Sequence, residues 1–599
     1  IDESRQGDGF TVIAMADPPD VLIADPAFDR ADVQREIDEL RLRHTGAQLE
    51  PTLAEVAAIV QRAELRHSRL NETRVCFFTD MGKTTWDDAL SADARKWWTQ
   101  LSESATLQLF DVGVNEVINR SIARIAARQQ LVTPRRDVTF DVEVVQRGGS
   151  AERSWVEFFS DGNRVERRSL DVGPNQPAAV SFTVRFDEPG DHYIECRLPD
   201  DDLPLDNSRW RSVRVRKDVR VLCIEGKPGA ARHVALALAP QKEASARRVI
   251  VDTATETALL ESDLHQYAAI FLCNVAQFRE EEASALHRYV QRGGATVFFL
   301  GDQVNSENYN ERLASDSSHP LLPCTLGSAI SGSQYMFDPR GYHHPLLEAF
   351  RGHEQAGLLT TPVWKYIQLT TLTENGGQTA LEFEGGDPAI VDGMSGRGRC
   401  LVVATAASTE SVSPGADPPY WSAMSSWPSF LPLTQELLQA GLSRRADERN
   451  RTVGEPLFGE APPQTKDVAV SVALPRDDGR PAVDTARAER VTLTKVDTQL
   501  TWGFAETYWS GIYTAEFQTP ERSARYFAAN VDVREGDPTR IAPGEIPSQL
   551  QRDYTADGAT ASPGFNAGGQ SFFRYLLAIV FGLVLCESFL ASQFGRTWK

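Results

Sequence analysis

The sequence lacks any CxxC pair. Its seven cysteines, Cys76, Cys196, Cys223, Cys273, Cys324, Cys400 and Cys586, are scattered over 599 residues, which argues against zinc held by paired thiolates. Most lie in apolar, strand-like runs, where cysteine packs as a small hydrophobe, and an odd count without spacing fits either redox setting. Positive charge is also short. Lysine and arginine number 62 against 83 aspartates and glutamates, a formal charge of −21. No basic stripe is present to neutralise phosphates along the chain, which disfavours a nucleic-acid partner. A leader of charged and then apolar residues is missing as well. The opening "GDGFTVIAMADPP" instead reads as a core strand close to Ile1, so the first domain is expected to begin upstream of it.

What is present is ordinary globular composition, 41% hydrophobic and 24% charged, in a chain long enough for roughly three to five domains. The last thirty residues differ from the rest. "YLLAIVFGLVLCESFLASQF", Tyr575 to Phe594, is apolar on all faces as far as Cys586, and as a helix it spans roughly 30 Å, the thickness of a bilayer core. A transmembrane helix is therefore expected over 573–595, against the alternative of a buried C-terminal core helix. Glu587 is the flaw in the run, and it is costly there unless it snorkels, protonates or meets a partner helix. Arg574 precedes the segment, and Arg596 and Lys599 follow it. That balance favours a cytoplasmic C-terminus and an extracytoplasmic body.

Before that segment the chain changes rhythm several times. Residues 1–117 alternate strands such as "FTVIAMA" and "RVCFF" with helices such as "LEPTLAEVAAIVQRAEL", a βαβ pattern that implies a parallel sheet. Residues 118–217 lose the helices. Short alternating runs joined by turns such as Asp161-Gly162-Asn163 predict an antiparallel sandwich of immunoglobulin type. From Asp218 to about residue 445 the α/β pattern returns, with a Gly- and Pro-rich insertion of irregular structure and hairpins expected at about 305–395. Residues 446–545 are β-rich, and the polar 546–572 suits a linker. The fold class expected is multidomain α/β plus β, with two Rossmann-like parallel-sheet domains, two β-sandwich-like modules and one C-terminal span.

This order, with the phrases "VCFFTDMGKTTW", "LPLDNSRWRSVRVR", "YAAIFLCNVAQF…YVQRGGATVFFLGD" and "RNRTVGEPL", resembles bacterial membrane proteins of the BatA-related kind. The resemblance implies a partial von Willebrand factor A-like domain over 1–117, an immunoglobulin-like module over 118–217, and a class I glutamine-amidotransferase-like domain over 218–445. It covers nearly the whole chain through domain order, without a tight catalytic motif.

In such A domains a hard cation, usually Mg²⁺, sits on oxygen ligands from three loops. The resemblance places Asp80 on the third loop and Ala47 where the second-loop threonine would stand, with Thr52 on a small packing position. The first loop would precede Ile1. Asp80 is thus the single metal-ligand candidate, with turn capping as the simpler role, and Mg²⁺ would need the upstream loop to complete the site. No other cofactor is expected.

Active amidotransferase-like domains carry a cysteine on a sharp strand-to-helix turn, with a histidine and a glutamate. The corresponding turn here holds Gly301-Asp302. Cys273, at the end of the preceding strand, is the alternative nucleophile, with His233 or an insertion histidine (His343, His344) as its base, while its apolar strand context favours burial. "GKPG", Gly226 to Gly229, reads as a βα turn rather than a phosphate loop. Aromatic clusters at Pro418–Phe430 and Thr501–Tyr513 suit either core packing or a partner surface. Together these features lead to the expectation of a non-enzymatic, membrane-anchored envelope scaffold. Its partners would be proteins, among them other membrane subunits. An enzyme using Cys273, or a small-ligand sensor at the 218–445 sheet, are the competing readings.

Overall fold

A computed structural model describes residue 4 and residues 7–553, apart from 41–42, 68, 71, 115–116, 130, 241–248, 316–319, 354–355, 463, 476–480, 497–498 and 520–522. The expected span at 573–595, with Glu587 and Cys586, lies outside the described residues. No described helix is long and apolar enough to cross a membrane. The protein is a strand-rich mixture of α and β structure with several separate sheets. It divides into two compact units, one returning to the N-terminal region from Asp537 onward, the other running to Gly536 and including Arg43–Thr45.

In the first unit, helix Leu49–Arg66 places Leu49, Leu53, Val56, Ala57 and Val60 on one buried stripe, the spacing of an amphipathic helix. That stripe belongs to a core with Phe77, Trp86, Trp98, Leu107 and Leu109. Strands Arg74–Thr79 and Thr106–Asp111 pair in parallel, as the βαβ pattern predicts. Two features differ from the sequence reading. Phe10–Ala14 does not join the parallel sheet but pairs antiparallel with Asp20–Ala27, because the short intervening segment holds no crossover helix. Gln551–Asp553, inside the segment read as linker, forms the third parallel strand, beside Thr106–Asp111. Its polar side chains hid it, since a strand's backbone pairs whatever the side chains are. Nearby Ile541, Ile546 and Leu550 are buried in the same core.

The second unit begins with seven antiparallel strands in two sheets of three and four. Their inner faces share one core, including Phe140, Phe158, Phe182, Ile194 and Cys196. Alternation is clearest in Asp137–Arg147, where every second residue is buried, the period of a half-covered strand.

Next comes an eight-stranded sheet. Its parallel part runs in the spatial order Val249–Ala254, Val219–Glu225, Ala269–Cys273, Ala295–Phe299 and Gly398–Val403. The central strands AIFLC and ATVFF are buried throughout, as strands covered on both faces must be. The insertion is less irregular than its composition implies. Pro388–Ser395, Gln378–Phe383 and Phe337–Asp338 extend the same sheet antiparallel, while Cys324–Tyr335 pairs with Val363–Thr371 in a separate ribbon.

The β-rich remainder builds sheets of five and three strands around Val468, Val470, Trp502, Tyr513 and Phe517. It is joined to the sandwich by asparagine side chains. Strand Ser208–Val215 is a sheet edge whose outward peptide groups need partners. The Asn530 side chain accepts from Trp210 N at 2.8 Å and donates to Trp210 O at 2.9 Å. Asn450 does the same for Ser212, at 2.8 and 3.3 Å. A carboxamide has one acceptor and two donors, so each side chain stands in for a neighbouring strand's peptide unit.

Candidate functional site

In an open α/β sheet, ligands sit beyond the carboxyl ends of the strands, where the strand order reverses. Here the chain leaves Val219–Glu225 to one side for Val249–Ala254, then crosses to Ala269–Cys273 on the other. The reversal lies between Glu225 and Cys273-Asn274. The backbones approach closely at this point. A Cβ on Gly226 would stand 2.3 Å from Asn274 O and 2.4 Å from Val275 Cα, and one on Gly301 would meet Asn274 Oδ1 at 2.5 Å. Asn274 itself holds a left-handed backbone, φ 54°, a conformation asparagine tolerates better than most residues.

Around that crossing lies a cluster of polar side chains. Asn274 Nδ2 donates to Asp302 Oδ1 at 2.7 Å and to Ser411 Oγ at 3.2 Å, while its Oδ1 accepts from Gln303 N at 3.0 Å. Lys227 Nζ donates to Asp302 Oδ2 at 3.1 Å and to Glu410 O at 2.7 Å. Burial works to raise the Asp302 carboxyl, but hydrogen bonds from Asn274, Lys227 and Gln303 outweigh it and hold the group below its ordinary range. The Gly229 amide, which a phosphate loop would offer to its ligand, instead donates to Glu225 Oε2 at 3.0 Å. "GKPG" is therefore a turn closed by its own carboxylate, as the spacing predicted.

Cys273 and His233 are not brought together as a nucleophile and its base. Cys273 is 1% exposed at the end of a fully buried strand, and burial pushes its thiol well up, away from the reactive thiolate. His233 sits on helix Arg232–Leu238, and no hydrogen bond links it to Cys273. Its pKa is lowered by burial and then by Arg232, with Glu410 opposing. His344 has a structural position in the insertion. Its Nε2 lies 3.3 Å from Asp392 Oδ2, and Arg399 Nε donates to Asp392 Oδ1 at 2.7 Å. Sequence reasoning missed this buried group, because Asp392 and Arg399 meet across two antiparallel strands. His343 stands beside Gly341 in the preceding turn.

In the first unit Asp80 is exposed just past its strand, and its Oδ1 accepts from Gly82 N at 3.0 Å. Thr79 Oγ1 accepts from Met81 N at 3.1 Å and from Trp86 Nε1 at 2.9 Å. A Cβ on Gly113 would reach 2.7 Å from Asp80 O, so the next loop lies directly on this turn. Ala47 offers no oxygen, and the Thr52 hydroxyl is turned back to Gln48 O at 2.6 Å. These residues do not fit a Mg²⁺ site, which wants several convergent oxygens. Among the described residues no group of three or more histidines, cysteines or carboxylates could hold a metal.

Both aromatic clusters are mainly core. Trp421, Met424, Phe430, Trp502 and Tyr513 are buried, while Tyr420 is exposed. Five of the six described cysteines are buried and Cys76 is exposed, and no disulfide joins any of the six.

No family model matches the chain, and no curated protein matches it. Among solved structures, a cytoplasmic protein of Salmonella typhimurium is similar over 37% of this chain and 98% of its own, at 15% identity and a TM-score of 0.28. The CARDB domain of a Pyrococcus furiosus protein, solved with two metal ions, aligns over 17% and 90% at 16% identity and a TM-score of 0.16. A cold-adapted β-galactosidase of Rahnella aligns over 53% and 41% at 12% identity and a TM-score of 0.25. At those scores the likenesses decide neither fold family nor activity.

Proposed function

We propose that this chain is a non-enzymatic scaffold of the bacterial envelope, anchored by the segment at 573–595 and holding protein partners, other membrane subunits among them. In this reading the first unit is the A-like domain, followed by immunoglobulin-like and amidotransferase-like domains and a further β module. One observation carries it. At the reversal point of the large sheet, the groups that would meet a substrate are bound to one another through Asn274, Lys227, Asp302 and Ser411. The Asp80 turn, closed on Gly82, is a second instance of the same kind.

A scaffold needs surface rather than chemistry, and the first unit offers some. Phe78 is 66% exposed and stacks on Phe110 at 4.9 Å, with Val112 and Val114 also exposed nearby in sequence. A parallel sheet is ordinarily covered on both faces, so this side suits the apolar surface of another membrane subunit. The test is a photo-crosslinking residue in place of Phe78 in the full natural protein, in its own membranes. The expected result is a discrete crosslinked protein band, lost when Phe110→Glu is added. Crosslinks to lipid alone would sink the scaffold reading. Labelling of Cys273 by iodoacetamide in the folded protein, as fast as a free thiol, would turn the case toward the enzyme.

A further inference from the structure

The opposite, amino edge of the large sheet borders a cleft of about 1230 Å³ within the second unit. Its walls are the strand starts at Val219 and Ile250, the end of the sandwich strand Ser208–Val215, and the β module around Glu460 and Arg525. Nine lysine and arginine side chains line it against four carboxylates, in a chain whose acidic residues outnumber its basic ones. Two of those carboxylates are already engaged. Asp191 lies 2.6 Å from Arg449, and Glu448 takes Arg397 through both oxygens at 3.1 and 2.9 Å.

Arg214, Arg449 and Arg525 are among the lining residues. Arg525 is held by its bond to Glu460 O and by the Phe517 ring at 4.8 Å. Arg449, only 12% exposed, lies 5.8 Å from the Phe527 ring. Burial first, then Arg449 and Arg214, push the Arg525 guanidinium down to about 10. Arg449 and Arg214 act on Arg525 as like charges, opposed by Asp191 and Glu460, and a polyanion among these arginines would lower the energy further. Guanidinium forks match phosphate oxygens in geometry, and side chains fixed by packing lose little freedom on binding. The volume exceeds what a single orthophosphate fills, and the ring of Phe458, 41% exposed, is on the wall.

We propose that this cleft is a binding site for a soluble oligophosphate, free or carried on a small organic molecule, with Arg214, Arg449 and Arg525 as its recognition centre. Calorimetry of the full chain at low salt, titrated with tripolyphosphate and separately with ATP, tests it. The expected result is one-to-one binding of both that weakens as sodium chloride is raised. Tighter binding of ATP would assign Phe458 to an organic portion, and equal binding would leave the phosphates as the whole determinant. Arg214→Gln, at an exposed position, should weaken binding about tenfold or more, the loss expected for one charge-assisted contact. Arg525→Gln should do the same, with its fold checked by circular dichroism. Arg164→Gln, outside the cleft, should change nothing. No heat with either titrant overturns the proposal, and so does equal weakening by Arg164→Gln, which would mean diffuse attraction.

Discussion

The two edges of the large sheet treat charge in opposite ways. At the carboxyl edge Asp302 is met by Lys227, Asn274 and Gln303, all from loops at the same strand ends. At the amino edge Arg449 and Arg214 add to burial in lowering the Arg525 guanidinium. The first edge is stabilised by its own contacts, and the second is held by the packing of the modules around it. What differs is the balance of charge: short-range loops match Asp302 in one place, while nine cations share a cleft with four carboxylates in the other.

The strongest way to break that contrast is a buried carboxyl met by an amide donor. Asp206 is buried beside Asn119, which donates to it at 2.8 Å. Burial, reinforced by Asp201 and opposed by the Asn119 bond, raises its carboxyl to about 7. A raised carboxyl favours folding while protonated, so its contribution is full below the ordinary carboxylate range and is lost as pH rises through about 7. Between about pH 4 and pH 8 the loss should be on the order of 4 kcal/mol. Urea melts at both pH values should show it, and Asp206→Asn should flatten the difference. An unchanged pH dependence in that variant would remove Asp206 from the account.

Gly226→Ala tests the close crossing on which the matched edge depends. The added methyl would meet backbone atoms of Asn274 and Val275, which cannot swing aside, so a loss of roughly 3 kcal/mol is expected in urea melts. A fully stable variant would mean that the crossing relaxes easily. Lys227→Ala should cost about 1–2 kcal/mol, because Asp302 would keep its other donors and the pair is partly exposed. Arg214→Gln should act in the other direction, leaving stability unchanged or higher by up to about 0.5 kcal/mol as repulsion is relieved. If removing either cation destabilised equally, the two edges would not differ in the way described.

Much of this was legible in the residues. Helix Leu49–Arg66, the alternating Asp137–Arg147 and the buried strands AIFLC and ATVFF each have a local period or an apolar run that packing preserves. The turn at Gly226–Gly229 could also be read from spacing, and the simpler role for Asp80 from the resemblance, which put Ala47 at a ligand position. The antiparallel Phe10–Ala14 pairing, the strand at Gln551–Asp553 and the sheet-forming insertion could not, since backbone pairing partners leave no mark on a strand's own sequence. Asn450 and Asn530 look like ordinary polar residues until a distant sheet edge is brought against them.

The sequence by itself determined the succession of α/β and β segments, the absence of a CxxC pair and the excess of negative charge. Those properties depend on residue type and short-range order alone. Only the tertiary structure decided that Asp302 is bound by Lys227 and Asn274, and that arginines from three modules line one cleft in an acidic chain. Charge and hydrogen bonding act over a few ångströms, and folding sets which residues lie that close.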